Sequence, residues 1–164
     1  MKKLAILPGS YDPMTLGHLA LAQEAAKEFE HLVIAVMVNP DKHTRFTPEE
    51  RVEIARRTVA QLPQAEVIFD GGMLVDLFDR LGADAVVKGY RDSTDLAYER
   101  KMANLNRARN RSCRTVLVRA EGPYAKVSST EVRRRLDTGG GIPGVGHPRA
   151  LGVVGGERTA GLRK

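Results

Sequence analysis

The sequence lacks the features of several common kinds of protein. It has one cysteine, Cys113, in 164 residues, so it can form neither an internal disulfide nor a cysteine metal cluster, and we expect a reducing cytoplasm. It has no tryptophan, and aromatic residues make up only 5% of the chain, which is little for a surface that stacks on nucleic-acid bases. No apolar run approaches the length of a membrane span. The basic and then apolar start ends at Pro8 without a cleavage-like stretch, so we expect no signal peptide.

Hydrophobic residues nevertheless make up 42% of the chain, which suits a soluble globular protein with one core. We expect a single domain over residues 1–155 and a loose tail over 156–164, since the sequence is rich in glycine from Gly139 onward. The net charge of +6 is unevenly spread: residues 131–164 hold seven Lys/Arg against three Asp/Glu, whereas residues 1–130 hold nineteen against seventeen. Most of the basic excess therefore lies in the C-terminal part.

Short apolar runs alternate along the chain with segments of helical period. The runs are rich in Val and Ile and almost continuous, as strands covered on both faces are. Five such strands separated by helices predict an α/β fold with a doubly wound, five-stranded parallel sheet. Thr47 and Ser128 each precede a glutamate by three residues, which is the pattern of a capping box, and Gly82 is a candidate C-cap. The predicted strands are 4–7, 32–38, 65–69, 84–87 and 115–120, and the predicted helices are 16–29, 47–62, 73–82, 93–109 and 128–136.

The stretch PGSYDPMTLGH, residues 8–18, joins the first strand to the first helix. Open parallel sheets bind ligands at the carboxyl ends of their strands, where the winding reverses. Gly9 would let a ligand approach the backbone, and Thr15 can cap a helix whose free N–H groups attract an anion. His18 would face that anion from the first turn. On residue types alone, a tight turn with a hydrogen-bonded histidine is an equally good interpretation, since neither GxxxxGK[ST] nor GxGxxG is present.

Three further groups come after other strands and favour the ligand site. Lys88 and Arg91 follow the fourth strand, Lys42 follows the second, and the hydroxyls of residues 128–130 crowd the start of the last helix. Each group alone is typical of an ordinary loop or cap. Gathered at one edge of one sheet, they predict an anion site large enough for a nucleoside triphosphate and a second phosphorylated molecule.

With these residues the chain resembles the bacterial phosphopantetheine adenylyltransferase family, whose nucleotidyltransferase superfamily has a Rossmann-like fold and a [HT]xGH motif, here TLGH at 15–18. The most specific segment is KGYRDSTDLAYERKMANLNR, residues 88–107. VSSTEVRR is equally similar to the motif of nicotinamide-nucleotide adenylyltransferases, so a sister enzyme that acts on nicotinamide or nicotinate mononucleotide stays open. The chain departs from the family pattern at Ser10 (usually Thr), Leu16 (usually Asn) and Lys88 (commonly Arg).

The resemblance implies reversible transfer of the adenylyl group of ATP to 4′-phosphopantetheine, giving 3′-dephospho-coenzyme A and diphosphate by direct in-line displacement. His18 would stabilise the transition state, and Lys42 and Arg91 would assist it. The implied acceptor site consists of Ser10, Lys42, Leu74 and Lys88. The implied ATP site consists of Ser10, Tyr11, His18, Gly89, Tyr90, Arg91, Glu99, Tyr124, Ala125, Lys126, Val127, Ser128, Ser129 and Thr130.

The resemblance also implies a homo-hexamer and a Mg²⁺ ion that arrives with ATP, since the sequence shows no carboxylate cluster to hold the metal alone. A different class of function, a nucleic-acid-binding domain, would use a basic patch that has no acidic residue among its members. Aromatic residues are too scarce to support such a surface, so we interpret the patch as a solvated helix face and expect neither nucleic acid nor membrane as a partner. The patch consists of Arg100, Lys101, Arg107, Arg109, Arg111 and Arg114.

Overall fold

Five strands alternate with five helices along residues 2–138, the part of the chain that the computed structural model describes. The predicted glycine-rich loop and the tail at 156–164 lie outside these residues. The strands are β1 (Lys2–Gly9), β2 (Phe29–Met37), β3 (Ala65–Asp70), β4 (Ala85–Tyr90) and β5 (Thr115–Arg119). The helices are α1 (Leu16–Ala25), α2 (Pro48–Thr58), α3 (Leu74–Leu81), α4 (Ser93–Arg109) and α5 (Ser129–Asp137).

The strands form one parallel sheet in the order β3-β2-β1-β4-β5. Leu7 of β1 is in register with Ile34 of β2, and Ala5 is in register with Ala85 of β4. The chain therefore winds outward in both directions from β1, and the winding reverses between β1 and β4. This confirms the predicted doubly wound sheet and places its ligand-binding edge at the carboxyl ends of these two strands.

The sheet is covered on both faces. Alternate residues of β1 enter two different cores, because successive side chains of a strand point to opposite faces. Leu7 packs in the larger core with residues of α1 and α2, whereas Ile6 packs in the smaller one against Leu77 and Phe78 of α3. Complete burial on both faces explains why β1 and β2 read as continuous apolar runs.

Several predicted boundaries were wrong. β4 runs to Tyr90 because Lys88, Gly89 and Tyr90 pair in register with β5, so Lys88 lies inside the strand and not after it. The helix predicted over 16–29 ends at Ala25, since the apolar residue Phe29 belongs to β2. Apolar pattern alone does not mark such ends, because a strand can continue into polar residues where it reaches a crevice.

The predicted helix caps form, with one exception. Thr47 Oγ1 accepts a hydrogen bond from the Glu50 N–H at 3.1 Å, and the Glu50 carboxylate accepts one from the Thr47 N–H at 2.9 Å. Gly82 ends α3 in the left-handed conformation, with φ of 61°. Ser128 caps α5 by accepting from the Glu131 N–H, but the return bond is not made, because Arg134 and Arg135 hold the Glu131 carboxylate. Across residues 2–138, no helix combines the length and the apolar content that crossing a bilayer demands.

Candidate active site

His18 is held at the start of α1 by two reciprocal hydrogen bonds with Thr15. The Thr15 hydroxyl caps the helix by accepting from the His18 backbone N–H, and His18 Nδ1 accepts from the Thr15 backbone N–H at 2.9 Å. The histidine thus takes the place that glutamate has in an ordinary capping box. Because Nδ1 is an acceptor here, the proton of the neutral ring is on Nε2. The first turn therefore fixes both the orientation and the tautomer of the ring.

The half-buried imidazole is neutral in the ligand-free protein at pH 7. Burial, followed by the positive charges of Lys88 and Arg91, lowers the pKa of His18 from 6.5 to about 4. The sequence left the charge of this histidine open. The structure gives a neutral Nε2–H donor beside two cations.

Tyr11 packs edge-on against His18, with ring centroids 4.9 Å apart and an interplanar angle of 73°. Its hydroxyl donates to the carbonyl of Leu7 at 2.8 Å, and its burial raises the pKa of the phenol well above the ordinary value. A Cβ atom on Gly9 would lie 3.2 Å from the Tyr11 ring. The expectation that Gly9 leaves room for a ligand was therefore wrong, because the Tyr11 ring fills that space. The Tyr11 side chain therefore supports the His18 ring, and its implied contact with ATP stays a prediction.

Two cations reach His18 from the carboxyl end of β4. Lys88 is half-buried in the strand, and its Nζ lies 3.4 Å from a carboxylate oxygen of the buried Glu99 on α4. Arg91 follows the strand, and its Nε donates to the Asp95 carboxylate at 3.0 Å. Between the two cations are Gly89 and the half-buried Tyr90, the last residues of β4. Lys88 and Arg91 both lower the pKa of His18, which agrees with the expected gathering of these three residues at the switch point.

The segment before α5 packs against the first turn of α1. A Cβ atom on Gly17 would lie 3.1 Å from the Tyr124 carbonyl oxygen and 3.5 Å from that of Val127. Ser129 Oγ donates to the Pro13 carbonyl at 2.8 Å. Gly17 therefore serves close packing of two segments more than 100 residues apart in sequence. The 124–127 segment and the start of α5 therefore pack against the turn that leads to His18, and their implied contacts with ATP stay predictions.

The remaining predicted residues are more dispersed. The backbone carbonyl of Ser10 accepts a hydrogen bond from Arg51 at 2.8 Å. Ser10 directly follows the last residue of β1. Lys42 is exposed in the turn after β2, and the cations that lower the pKa of His18 are Lys88 and Arg91, not Lys42. Leu74 opens α3 half-buried against the smaller core. The roles implied for Ser10, Lys42 and Leu74 at the acceptor site stay predictions.

The sequence analysis missed a buried arginine below the site. Arg51 is 2% exposed and donates to the carbonyls of Ser10 and Met37, at the ends of β1 and β2. Its only sequence signal is its position, since helical spacing places it on the same face of α2 as the buried Ala55 and Thr58. A charged residue at such a position indicates a specific buried partner.

Among the described residues, no group of three His, Cys, Asp or Glu side chains lies close enough to hold a metal ion. The edge of the sheet near His18 is instead cationic.

Comparison with known proteins agrees with this geometry. The model of the cytidylyltransferase-like family matches residues 6–135. A phosphopantetheine adenylyltransferase of Limosilactobacillus reuteri (strain DSM 20016) is 41% identical over 140 residues, which are 85% of this chain and 81% of the relative. The protein of that name from Limosilactobacillus fermentum is 39% identical over the same shares. The chain belongs to the phosphopantetheine adenylyltransferase family.

Membership in the phosphopantetheine adenylyltransferase family confirms the resemblance drawn from TLGH and from the segment at 88–107. It also confirms the Rossmann-like nucleotidyltransferase fold, since the matched residues run from β1 into α5. The chain is accordingly a nucleotidyltransferase.

Proposed function

We propose that this chain reversibly transfers the adenylyl group of ATP to 4′-phosphopantetheine, giving 3′-dephospho-coenzyme A and diphosphate in coenzyme A biosynthesis. The observation that carries the proposal is the convergence of His18, Lys88, Arg91 and the start of α5 at the reversal of the sheet. The relatives at 39–41% identity are both named phosphopantetheine adenylyltransferase, which supports 4′-phosphopantetheine as the acceptor.

The reaction is a direct displacement at the α-phosphorus. A phosphate oxygen of the acceptor forms the new P–O bond, and the bond from the α-phosphorus to the diphosphate oxygen breaks. The acceptor phosphate is already an anion at neutral pH, so no enzyme nucleophile is needed. The work of the protein is to align two polyanions and to stabilise the charge that develops between them.

His18 acts as the hydrogen-bond donor to the α-phosphate. Its Nε2–H is the proton that remains after Nδ1 is bonded to Thr15. A neutral donor that is fixed before the substrate arrives needs no reorganisation during the reaction. Such a donor contributes about 3 kcal/mol, or roughly a hundredfold in rate.

The cations and hydroxyls divide between the two substrates. Ser10, Lys42, Leu74 and Lys88 bind the acceptor, and Arg91 with the helix start at 128–130 binds the β- and γ-phosphates. Lys88 lies between the acceptor site and the ATP site, since it pairs with Glu99, which belongs to the ATP site. The rest of the ATP site is formed by Tyr11, His18, Gly89, Tyr90, Tyr124, Ala125, Lys126 and Val127.

ATP enters with Mg²⁺ bound to its phosphates, so the metal is part of the substrate.

We place the protein in the cytoplasm, which suits its free, buried Cys113. A homo-hexamer is the proposed assembly, and the exposed Tyr98 and Leu105 on α4 offer it apolar contact area. Nucleic acid and membrane are not proposed as partners.

The test is diphosphate release from Mg-ATP with alternative acceptors. Release should require 4′-phosphopantetheine and should not occur with nicotinamide mononucleotide or with ATP alone. Release that depends on nicotinamide mononucleotide instead would assign the chain to the sister activity and overturn the proposal.

A further inference from the structure

A buried carboxylate outside the predicted site joins three segments around the crevice. Asp12 lies in the loop between β1 and α1 and is 3% exposed. Its Oδ2 accepts from the backbone N–H of Arg45, and its Oδ1 accepts from that of Phe46, both at 2.9 Å. The loop between β2 and α2 is thereby fixed to the loop that leads to His18.

The same residue also holds α5. Arg133 Nη1 donates to the Asp12 carbonyl at 2.7 Å and lies 3.6 Å from the Asp12 carboxylate. Arg133 Nη2 donates to Thr130 Oγ1 at 3.0 Å, which ties the contact to the start of the helix. An ion pair between Arg45 and Asp137 links the β2–α2 loop directly to the other end of α5.

Burial of a carboxylate is costly unless charge and hydrogen bonds compensate it. Asp12 has both, because two backbone N–H groups and the Arg133 guanidinium surround it, and the buried Arg51 interacts with it electrostatically. These contacts join residues that are 33 to 121 positions apart in sequence. A carboxylate so placed specifies one relative position for the three segments.

We propose that Asp12 is a positioning residue that, with Arg45, Phe46 and Arg133, aligns the acceptor-binding and ATP-binding halves of the site. This group of four residues is called the Asp12 junction. Which half of the site binds which substrate depends on the proposed function, in which Lys42 on the β2–α2 loop holds the acceptor phosphate and residues 128–130 hold ATP. The junction sets the distance between these groups on either side of His18 without touching a substrate.

The kinetic test compares Arg133→Met with Arg134→Met. Both changes remove a guanidinium from α5, but Arg134 is exposed and pairs with Glu131 on its own helix. We expect R133M to raise the KM for ATP and for phosphopantetheine at least fivefold each, R133K to recover most of the loss, and R134M to stay within twofold of the wild type. A variant that merely lost stability would lower the apparent kcat and leave both KM values unchanged.

A second measurement needs no substrate. In Asp12→Asn only one of the two backbone N–H groups of Arg45 and Phe46 keeps an acceptor, so one of these two amides should exchange with solvent at least tenfold faster than in the wild type. If D12N does not fold, R133M is used for this measurement and should show faster exchange at the same two amides.

The two measurements separate the junction from the proposed function. Faster exchange in D12N, in a chain that releases no diphosphate with phosphopantetheine, would support the junction and overturn the function. Acceptor-dependent turnover, with unchanged KM values in R133M and unchanged exchange in D12N, would overturn the junction and leave the function standing.

Discussion

At the residue scale, the chemistry of the site depends on which nitrogen of His18 is free. The Thr15 N–H occupies Nδ1, and burial with two neighbouring cations keeps the ring neutral. A phosphate in the crevice therefore meets a donor whose orientation the backbone has already set. As a consequence, His18 resists protonation in the folded state.

That resistance predicts a pH dependence of stability. Between pH 6.5 and about 4 the unfolded chain binds a proton at residue 18 that the folded chain does not, so the free energy of unfolding should fall as the pH falls through this window. Above pH 6.5 the contribution is complete. Urea unfolding across the window should show a shallower slope for His18→Gln than for the wild type.

His31→Gln is the matched control for this slope, because His31 is an exposed histidine on β2. It should keep the wild-type slope. Equal slopes for H18Q and the wild type would show that His18 is not held neutral by the fold.

Lys88 gives a second prediction at this scale. Its half-buried Nζ lies 3.4 Å from a carboxylate oxygen of Glu99, and its charge lowers the pKa of His18. We expect Lys88→Ala to raise the KM for phosphopantetheine about tenfold, which corresponds to about 1.4 kcal/mol. Lys101→Ala, which removes an exposed lysine from α4, should leave that KM unchanged in the same steady-state assay. Similar effects of the two changes would argue against a direct role for Lys88.

At the scale of elements, the site is assembled by close packing of α1 against the segment before α5. Gly17 permits the contact, since a Cβ atom there would lie only 3.1 Å from the backbone carbonyl oxygen of Tyr124. We expect Gly17→Ala to push the 124–127 segment away and to raise the KM for ATP at least fivefold. Gly71→Ala is the control, because its added Cβ would come no closer than 3.9 Å to another atom.

The G17A comparison is measured by ATP titration of the two variants. An ATP affinity in G17A equal to that in G71A would mean that the packing of the 124–127 segment does not shape the nucleotide site.

The elements themselves could be predicted where local chemistry decides them. The bounds of α4 were predicted correctly as 93–109, and the box at Thr47 was found because its partner is three residues away. The box at Ser128 formed only in part, since two arginines on the same helix compete for Glu131. Such competition depends on side-chain geometry that a three-residue pattern does not contain.

The candidate site divides in the same way. His18, Lys88 and Arg91 could be proposed from the sequence because they lie in or after the carboxyl-terminal part of a strand, and a parallel sheet gathers such segments at one edge. The support of the Tyr11 ring and the buried contacts of Asp12 and Arg51 could not, since their partners are distant in sequence or are backbone atoms. No periodicity marks a contact between Asp12 and a helix 121 residues away.

At the scale of the whole molecule, the proposed function requires one crevice at the reversal of the sheet to bind both substrates. The order β3-β2-β1-β4-β5 is what allows β1, β4 and α5 to contribute to it together. Each contribution is small in isolation: a capped helix, two cations and a group of hydroxyls. The proposed function depends on their placement around one imidazole.

The most direct test of this account is diphosphate release from ATP and 4′-phosphopantetheine by the wild type, His18→Asn and His31→Asn. The account predicts that kcat falls roughly a hundredfold in H18N, because the donor to the α-phosphate is lost, and that H31N keeps the wild-type rate. An H18N variant that turns over as fast as the wild type would contradict the account.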